Sequence, residues 1–228
     1  MKMKEAIYAI PVLEAFRQNT ECPFCAMRES LERDTLEYML GPSYMDDKIR
    51  MATNEAGFCQ RHYAAMYAER NRLGLALMLE THMQTVLKNL SSLPEKKLTE
   101  YISKVTGSCY MCDRVETHFT RYAETFFLLW NRPKDNELRA LTQNCKGFCL
   151  THYAMLLSMS EKEMGKTERQ ELTAVITPLT MENLRRVNDD VSWFVKKFDY
   201  QNADAPWKNA KDAIPRGILK IASTILPN

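Results

Sequence analysis

The sequence predicts an all-α protein, and three observations carry that expectation. Apolar residues recur at three- and four-residue spacing through most of the chain, which is the helical period. Glycine is scarce, at 7 residues in 228, and the long runs rich in Glu, Lys, Leu, Met and Ala favour helix. No stretch alternates with period two for long enough to make a strand.

Taken in order, Ile7, Ile10, Leu13 and Phe16 mark a short amphipathic helix with Pro11 in its first turn. A second helix starts at Pro23, carries Met27, Leu31, Tyr38 and Met39 on one face, and ends at Gly41-Pro42. Ser43 to Ala56 reads as a loop with one helical turn. A long helical run follows His62, with an apolar stripe at Leu79, Met83, Val86 and Leu90, until Ser91-Ser92-Leu93-Pro94 breaks it. Leu98, Ile102 and Val105 make a short helix closed by Gly107. Val115, Phe119, Tyr122, Phe126 and Leu129 make the next, stopped by Asn131-Arg132-Pro133. A loop then leads to Gly147, and a helix begins near His152. From Thr167 to Phe198 the pattern is helical again; Leu184, Val187, Val191, Phe194 and Phe198 form its stripe. Pro178 is expected to kink this element or to begin a new helix capped by Thr177. The tail is turn-rich around Tyr200 and Trp207, then helical from Ile214 to Ile221. Trp207, Ile214, Leu219 and Ile221 are its expected anchors.

The chain is organised around a duplicated motif. Gly57-Phe58-Cys59-Gln60-Arg61-His62-Tyr63-Ala64 returns ninety residues later as Gly147-Phe148-Cys149-Leu150-Thr151-His152-Tyr153-Ala154. Each copy follows a Cys-x2-Cys pair, Cys22/Cys25 before the first and Cys109/Cys112 before the second. The sequence thus predicts two pseudo-repeats of helical hairpins, residues 1–93 and 94–198. A tail, 199–228, packs on them, the whole forming one compact domain. In sequence order, Cys22, Cys25, Cys59 and His62 make one metal site, and Cys109, Cys112, Cys149 and His152 the other.

The residue types explain why these positions point to metal. Cys-x2-Cys at a helix start aims two sulfurs at one point, where backbone N–H groups stabilise thiolate. Cys-x2-His on a helix sets sulfur and imidazole side by side. Three sulfurs and one nitrogen form the closed tetrahedral set that structural zinc prefers. The glycine permits a tight turn into the motif, and the phenylalanine shields the sulfurs. An iron–sulfur cluster is the alternative cofactor, although it usually takes four cysteines. Buried, unmetallated cysteines with core histidines would not account for the repeated spacing, and no βαβ pattern surrounds either pair as a thioredoxin-like redox motif requires. Cys145, four residues before Cys149, reads either as a reduced loop cysteine or as an alternative ligand of the second site. His82 and His118 read as core-edge or surface residues.

Composition narrows the rest. A net charge of +2 exerts no strong pull on nucleic acid or anionic membrane, and no segment has the ~20 apolar residues of a spanning helix. The basic start, Met1-Lys2-Met3-Lys4-Glu5, is followed by charge and Pro11, which argues against a secretory signal. Six of seven cysteines at ligand spacing suit a reducing cytoplasm better than a disulfide scaffold.

With both Cys-x2-Cys…Gly-Phe-Cys-x2-His units, Asn71 to His82, and the segments Lys197–Tyr200 and Asp212–Arg216, the chain resembles a bacterial, mainly anaerobic Gram-positive family of unknown function. The resemblance covers nearly the whole chain and implies a bacterial cytosolic protein with an integral tail. It supplies no mechanism. The expectation is a non-enzymatic, zinc-stapled scaffold binding a protein partner, with an iron–sulfur electron-transfer or redox-sensing protein as the alternative.

Overall fold

The computed structural model describes residues 3–132 and 137–225. Met1-Lys2, Pro133 and residues 226–228 lie outside the described residues. Among the described residues the chain is all-α, with eleven α-helices, two short 3-10 turns and no strand. No helix of the described residues is long and apolar enough to cross a membrane.

Helix α1 (Met3–Arg17) leads to the first cysteine pair and begins further upstream than expected, so Pro11 sits in its interior. Helix α2 (Pro23–Leu40) starts at the expected proline. Where a loop was expected, α3 (Asp47–Ala56) forms. The Asp46 carboxylate accepts from the N–H groups of Lys48 and Ile49 at 2.8 and 3.2 Å, a cap that satisfies two orphan donors. The single run expected after His62 is two helices, α4 (Gln60–Ala68) and α5 (Arg72–Ser92). Asn71 makes the break. Its side-chain oxygen accepts from the Gly74 N–H at 2.9 Å while its amide donates to the Leu40 carbonyl at 2.7 Å.

Helices α6 (Glu95–Gly107) and α7 (Tyr110–Trp130) follow their predicted stripes. The loop expected before Gly147 contains α8 (Glu137–Asn144). Helix α9 (Leu150–Glu163) starts beside Cys149. Helix α10 (Lys166–Lys196) runs unbroken with Pro178 inside it. Pro178 and Ala174, whose carbonyl loses its partner, are both exposed, so water can satisfy that carbonyl. Thr177 is no cap; its hydroxyl pairs with the Tyr153 hydroxyl at 2.8 Å. Helix α11 (Ala213–Ala222) closes the chain.

Two compact units result, residues 1–28 with 120–228, and residues 29–119. The chain passes between them within α2 and within α7. The expected boundary at 93/94 lies inside the second unit. In the first unit α1 packs on α8, and α9, α10 and α11 pack together. Its core is aromatic: Phe16, Phe24, Phe126, Phe127, Trp130 and Phe148 are buried, with Phe16 stacked on Phe126 at 5.5 Å. In the second unit α3 packs on α5, and Met39, Phe58, Met66, Leu75, Met78 and Met111 cluster around Cys109.

The tail packs within the first unit. The Lys197 ammonium donates to the carbonyls of Asn202, Ala203 and Ala205 at 2.6 to 2.7 Å, and Trp207 lies 5.7 Å from Phe194. Ile214 and Ile221 are exposed and do not anchor it. The inward face of α11 carries Ala213 and Lys220 instead.

Candidate metal centres

The structure brings all eight predicted ligands into two groups but exchanges their partners. Cys22, Cys25, Cys149 and His152 form one group, in the first unit; Cys59, His62, Cys109 and Cys112 form the other, in the second. The sequence-order pairing is therefore overturned. Helix lengths supply the reason. At 1.5 Å per residue, α2 carries the chain about 27 Å onward from the first cysteine pair and α3 spans only about 15 Å, so the helical return is the shorter leg and Cys59 stays in the second unit with Cys109 and Cys112. The same holds for α7, about 31 Å, against α8, about 12 Å. Each Cys-x2-Cys pair takes its Cys-x2-His partner from the other copy of the motif.

Both motifs are built alike. Gly57 has φ +58° and Gly147 +70°, the left-handed region that glycine enters without strain. A Cβ on Gly57 would stand 2.6 Å from the His82 ring. Cys59 and Cys149 then take the extended N-cap position of α4 and α9, which places Cys and His one turn apart on the same face. Phe58 and Phe148 are buried, and Phe24 lies 5.8 Å from His152. In the second unit the two ligand-bearing segments are tied directly. The Tyr110 N–H donates to the Gly57 carbonyl at 3.0 Å and the Ser108 hydroxyl to the Ala56 carbonyl at 2.7 Å.

The distances within each group are short and even. In the first, Cys149 Sγ lies 3.8 Å from Cys22 Sγ and 3.6 Å from Cys25 Sγ. His152 Nδ1 lies 3.5, 3.4 and 3.1 Å from Cys22, Cys25 and Cys149. In the second, Cys59 Sγ lies 3.8 Å from Cys112 Sγ, and His62 Nδ1 lies 3.3, 3.1 and 3.4 Å from Cys59, Cys109 and Cys112. A tetrahedron with metal–sulfur bonds of about 2.3 Å has sulfur–sulfur edges of about 3.8 Å. The residues present fit one tetrahedral ion per group.

Electrostatics point the same way. Burial pushes the Cys22 thiol up to about 12. The hydrogen bond that Cys25 donates to Cys149 raises Cys25, while the hydrogen bonds from Cys22 and Cys25 lower Cys149. In the second group burial pushes Cys112 up to about 12. Burial also raises Cys109, but the hydrogen bonds from His62 and from the Cys112 and Cys59 backbone together outweigh it and bring the thiol down to about 6. Each group thus pairs one thiol that its neighbours hold as thiolate with others that burial and crowding keep protonated, and a divalent cation would displace those protons.

The surroundings of the two groups differ. All four residues of the first are buried, whereas Cys59 and Cys112 of the second are half-buried. In the first, the Ser223 hydroxyl lies 3.0 Å from Cys149 Sγ, so the tail reaches a metal site. Lys220, 1% exposed, donates to the Glu21 carbonyl at 2.6 Å and to the Lys146 carbonyl, gripping both segments that carry the sulfurs. Burial lowers its pKa, against the pull of Glu21 and Cys22. Arg186 and Lys220 pair with the Glu21 carboxylate. In the second, Glu32 Oε2 lies 2.7 Å from His62 Nε2, the carboxylate–histidine arrangement that fixes the tautomer of a metal ligand. Burial lowers the His62 pKa, but Cys109 and Glu32 outweigh it and raise it to about 10.

Sequence reading missed Glu32, Lys220 and Ser223. Only Lys220 left a signal, as a charged residue on the same helical face as Ala213 and Gly217. Cys145 belongs to neither group, and burial pushes its thiol up to about 11. His82 is structural: its Nδ1 meets the Asn54 carbonyl at 2.8 Å.

The chain belongs to the family described as a family of unknown function, DUF6062, whose model matches residues 3–228. No curated protein and no solved structure matches the chain.

Proposed function

We propose that this member of DUF6062 binds two zinc ions as structural staples and works in the cytoplasm as a non-enzymatic scaffold or interaction protein. The observation that carries the reading is the ligand spacing: all four donor atoms of each group lie within 4.8 Å of one another, with Cys149 3.6 and 3.8 Å from Cys25 and Cys22 and Cys59 3.8 Å from Cys112. That spacing favours a single ion. A polynuclear iron–sulfur cluster spreads its thiolates over several irons rather than gathering them around one ion. Four protein donors complete each tetrahedron and leave no position for a substrate, which is the pattern of structural rather than catalytic zinc. Seven free cysteines suit a reducing compartment.

The test is expression with zinc and iron both available, anaerobic purification, elemental analysis and an absorption spectrum. The expected result is about two zinc ions per chain and no visible absorption. Stoichiometric iron and sulfide with visible charge-transfer bands would replace this reading with the electron-transfer or redox-sensing one.

A further inference from the structure

The two groups carry the same donors but differ in what covers them. In the first, Cys22, Cys25, Cys149 and His152 are 0% to 4% exposed. Phe24 and Phe148 are buried beside them, and the Ser223 hydroxyl of the tail lies on Cys149 Sγ. In the second, His62 and Cys109 are buried, but Cys59 and Cys112 are half-buried. One of these two comes from each ligand-bearing segment, 53 positions apart, and their sulfurs stand 3.8 Å from each other. The flank there is polar: Arg61, with its side chain 65% exposed, pairs with Glu32 and lies against Cys112. Cys22 and Cys149 in the first group are also 3.8 Å apart, so access rather than spacing distinguishes the two groups. Metal-bound cysteine is thiolate, and an exposed thiolate is the one an oxidant reaches.

We propose that Cys59 and Cys112 are a peroxide-reactive pair whose oxidation to a disulfide releases the zinc ion of the second group and leaves that of the first in place. This rests on the zinc reading above. Hydrogen peroxide meets one of the two sulfurs, its O–O bond breaks, hydroxide leaves, and a sulfenic acid forms. The other thiolate attacks that sulfur, the S–S bond forms, and a second hydroxide leaves. Two thiolates have then lost two electrons to one peroxide, and two protons from solvent turn the hydroxides into water. The ion keeps only His62 and Cys109, two donors of its four, and dissociates. The unit does not lose its staple. Cys59 and Cys112 belong to the segments already joined by the Tyr110 N–H to the Gly57 carbonyl and the Ser108 hydroxyl to the Ala56 carbonyl. An S–S bond of about 2.05 Å ties together what the ion tied.

The test adds hydrogen peroxide to the zinc-loaded full chain. A chromogenic chelator counts the released zinc, and mass spectrometry of unreduced peptides locates the disulfide. The expected result is release of about one zinc ion per chain, roughly tenfold or more faster than the other ion, in step with a Cys59–Cys112 bond. Dithiothreitol and zinc should reload the site. Cys145→Ser should release its zinc at the same rate, since that thiol belongs to neither group. Two ions leaving together, the first group emptying first, or a first disulfide at any other pair overturns the proposal. So does a second group that stays loaded. Iron in place of zinc overturns the zinc reading and this inference with it, whereas the other failures leave that reading standing.

Discussion

Replacing Lys220 with alanine isolates what the tail does for the first metal group. The ammonium donates to the carbonyls of Glu21 and Lys146 and stands 3.4 Å from the Glu21 carboxylate. Those two carbonyls belong to the segments leading into Cys22 and Cys149. Each charge-assisted hydrogen bond contributes about 1.5–3 kcal/mol, and removing one partner leaves a buried acceptor unsatisfied. Relief of the buried ammonium's desolvation offsets part of the loss. The net cost is about 3 kcal/mol, and at 1.4 kcal/mol per tenfold change the ceiling on lost zinc affinity at this group is roughly 100-fold. Chelator competition reads the affinity, and hydrogen exchange of peptides covering residues 20–26 and 145–153 reads the place. The exchange should rise there and stay unchanged around Cys59 and Cys109. An unaltered competition curve together with unaltered exchange would refute the view that α11 braces the site.

Other substitutions separate the remaining contributions. Gly57→Ala should cost about 2–3 kcal/mol in urea unfolding, from its positive φ and a Cβ that would meet His82 at 2.6 Å; Gly107→Ala, with open space around it, should be neutral or slightly stabilising. Cys59→Ala and chelation should both lower the thermal midpoint sharply, and Cys145→Ala should lower it far less, because only the former removes metal-binding free energy from folding. Equal midpoints for these forms would show that the ion is not structural. Glu32→Gln should weaken zinc binding at the second group 10- to 100-fold. Burial raises Glu32, but hydrogen bonds from His62 and Arg61 outweigh it and hold the carboxyl below its usual value of 4.5. A depressed carboxyl stabilises the fold above its unfolded value and loses that contribution as pH falls through the folded value. The gap between wild type and Glu32→Gln, followed as thermal midpoint against pH, should therefore close as pH drops below about 4.5.

The eight candidate ligands were legible because their chemistry dictates their spacing: Cys-x2-Cys and Cys-x2-His are local, and locality is what a sequence displays. Their pairing was not legible, since both copies of the motif offer the same donors and either match satisfies the ligand chemistry. The lengths of α2 and α7 against α3 and α8 favour the exchanged match. Helices α3 and α8 escaped notice because they are short, ten and eight residues, and bury few apolar residues; for α3 the cap at Asp46 was the better signal. The break at Asn71 was hidden because residues on either side share a helical pattern, while the Asn71–Leu40 contact that fixes the break is distant in sequence. Pro11 and Pro178 show the reverse error: proline weakens a helix without ending it where the orphaned carbonyl can be satisfied elsewhere.

The exchanged pairing favours closing the two candidate metal sites in one order. Cys25 and Cys149 are 124 positions apart, whereas His62 and Cys109 are 47 apart and lie between them, so one closed loop is nested inside the other. By loop-closure entropy the inner ring is cheaper to close by about 0.9 kcal/mol. Once closed, it shortens the path that the outer ring must span. Synthesis imposes the same sequence of events, because a chain emerging N-terminus first presents all four inner donors at residue 112 and its last outer donor at residue 152. Any product ending between those points carries a full set of donors for one ion and an incomplete set for the other.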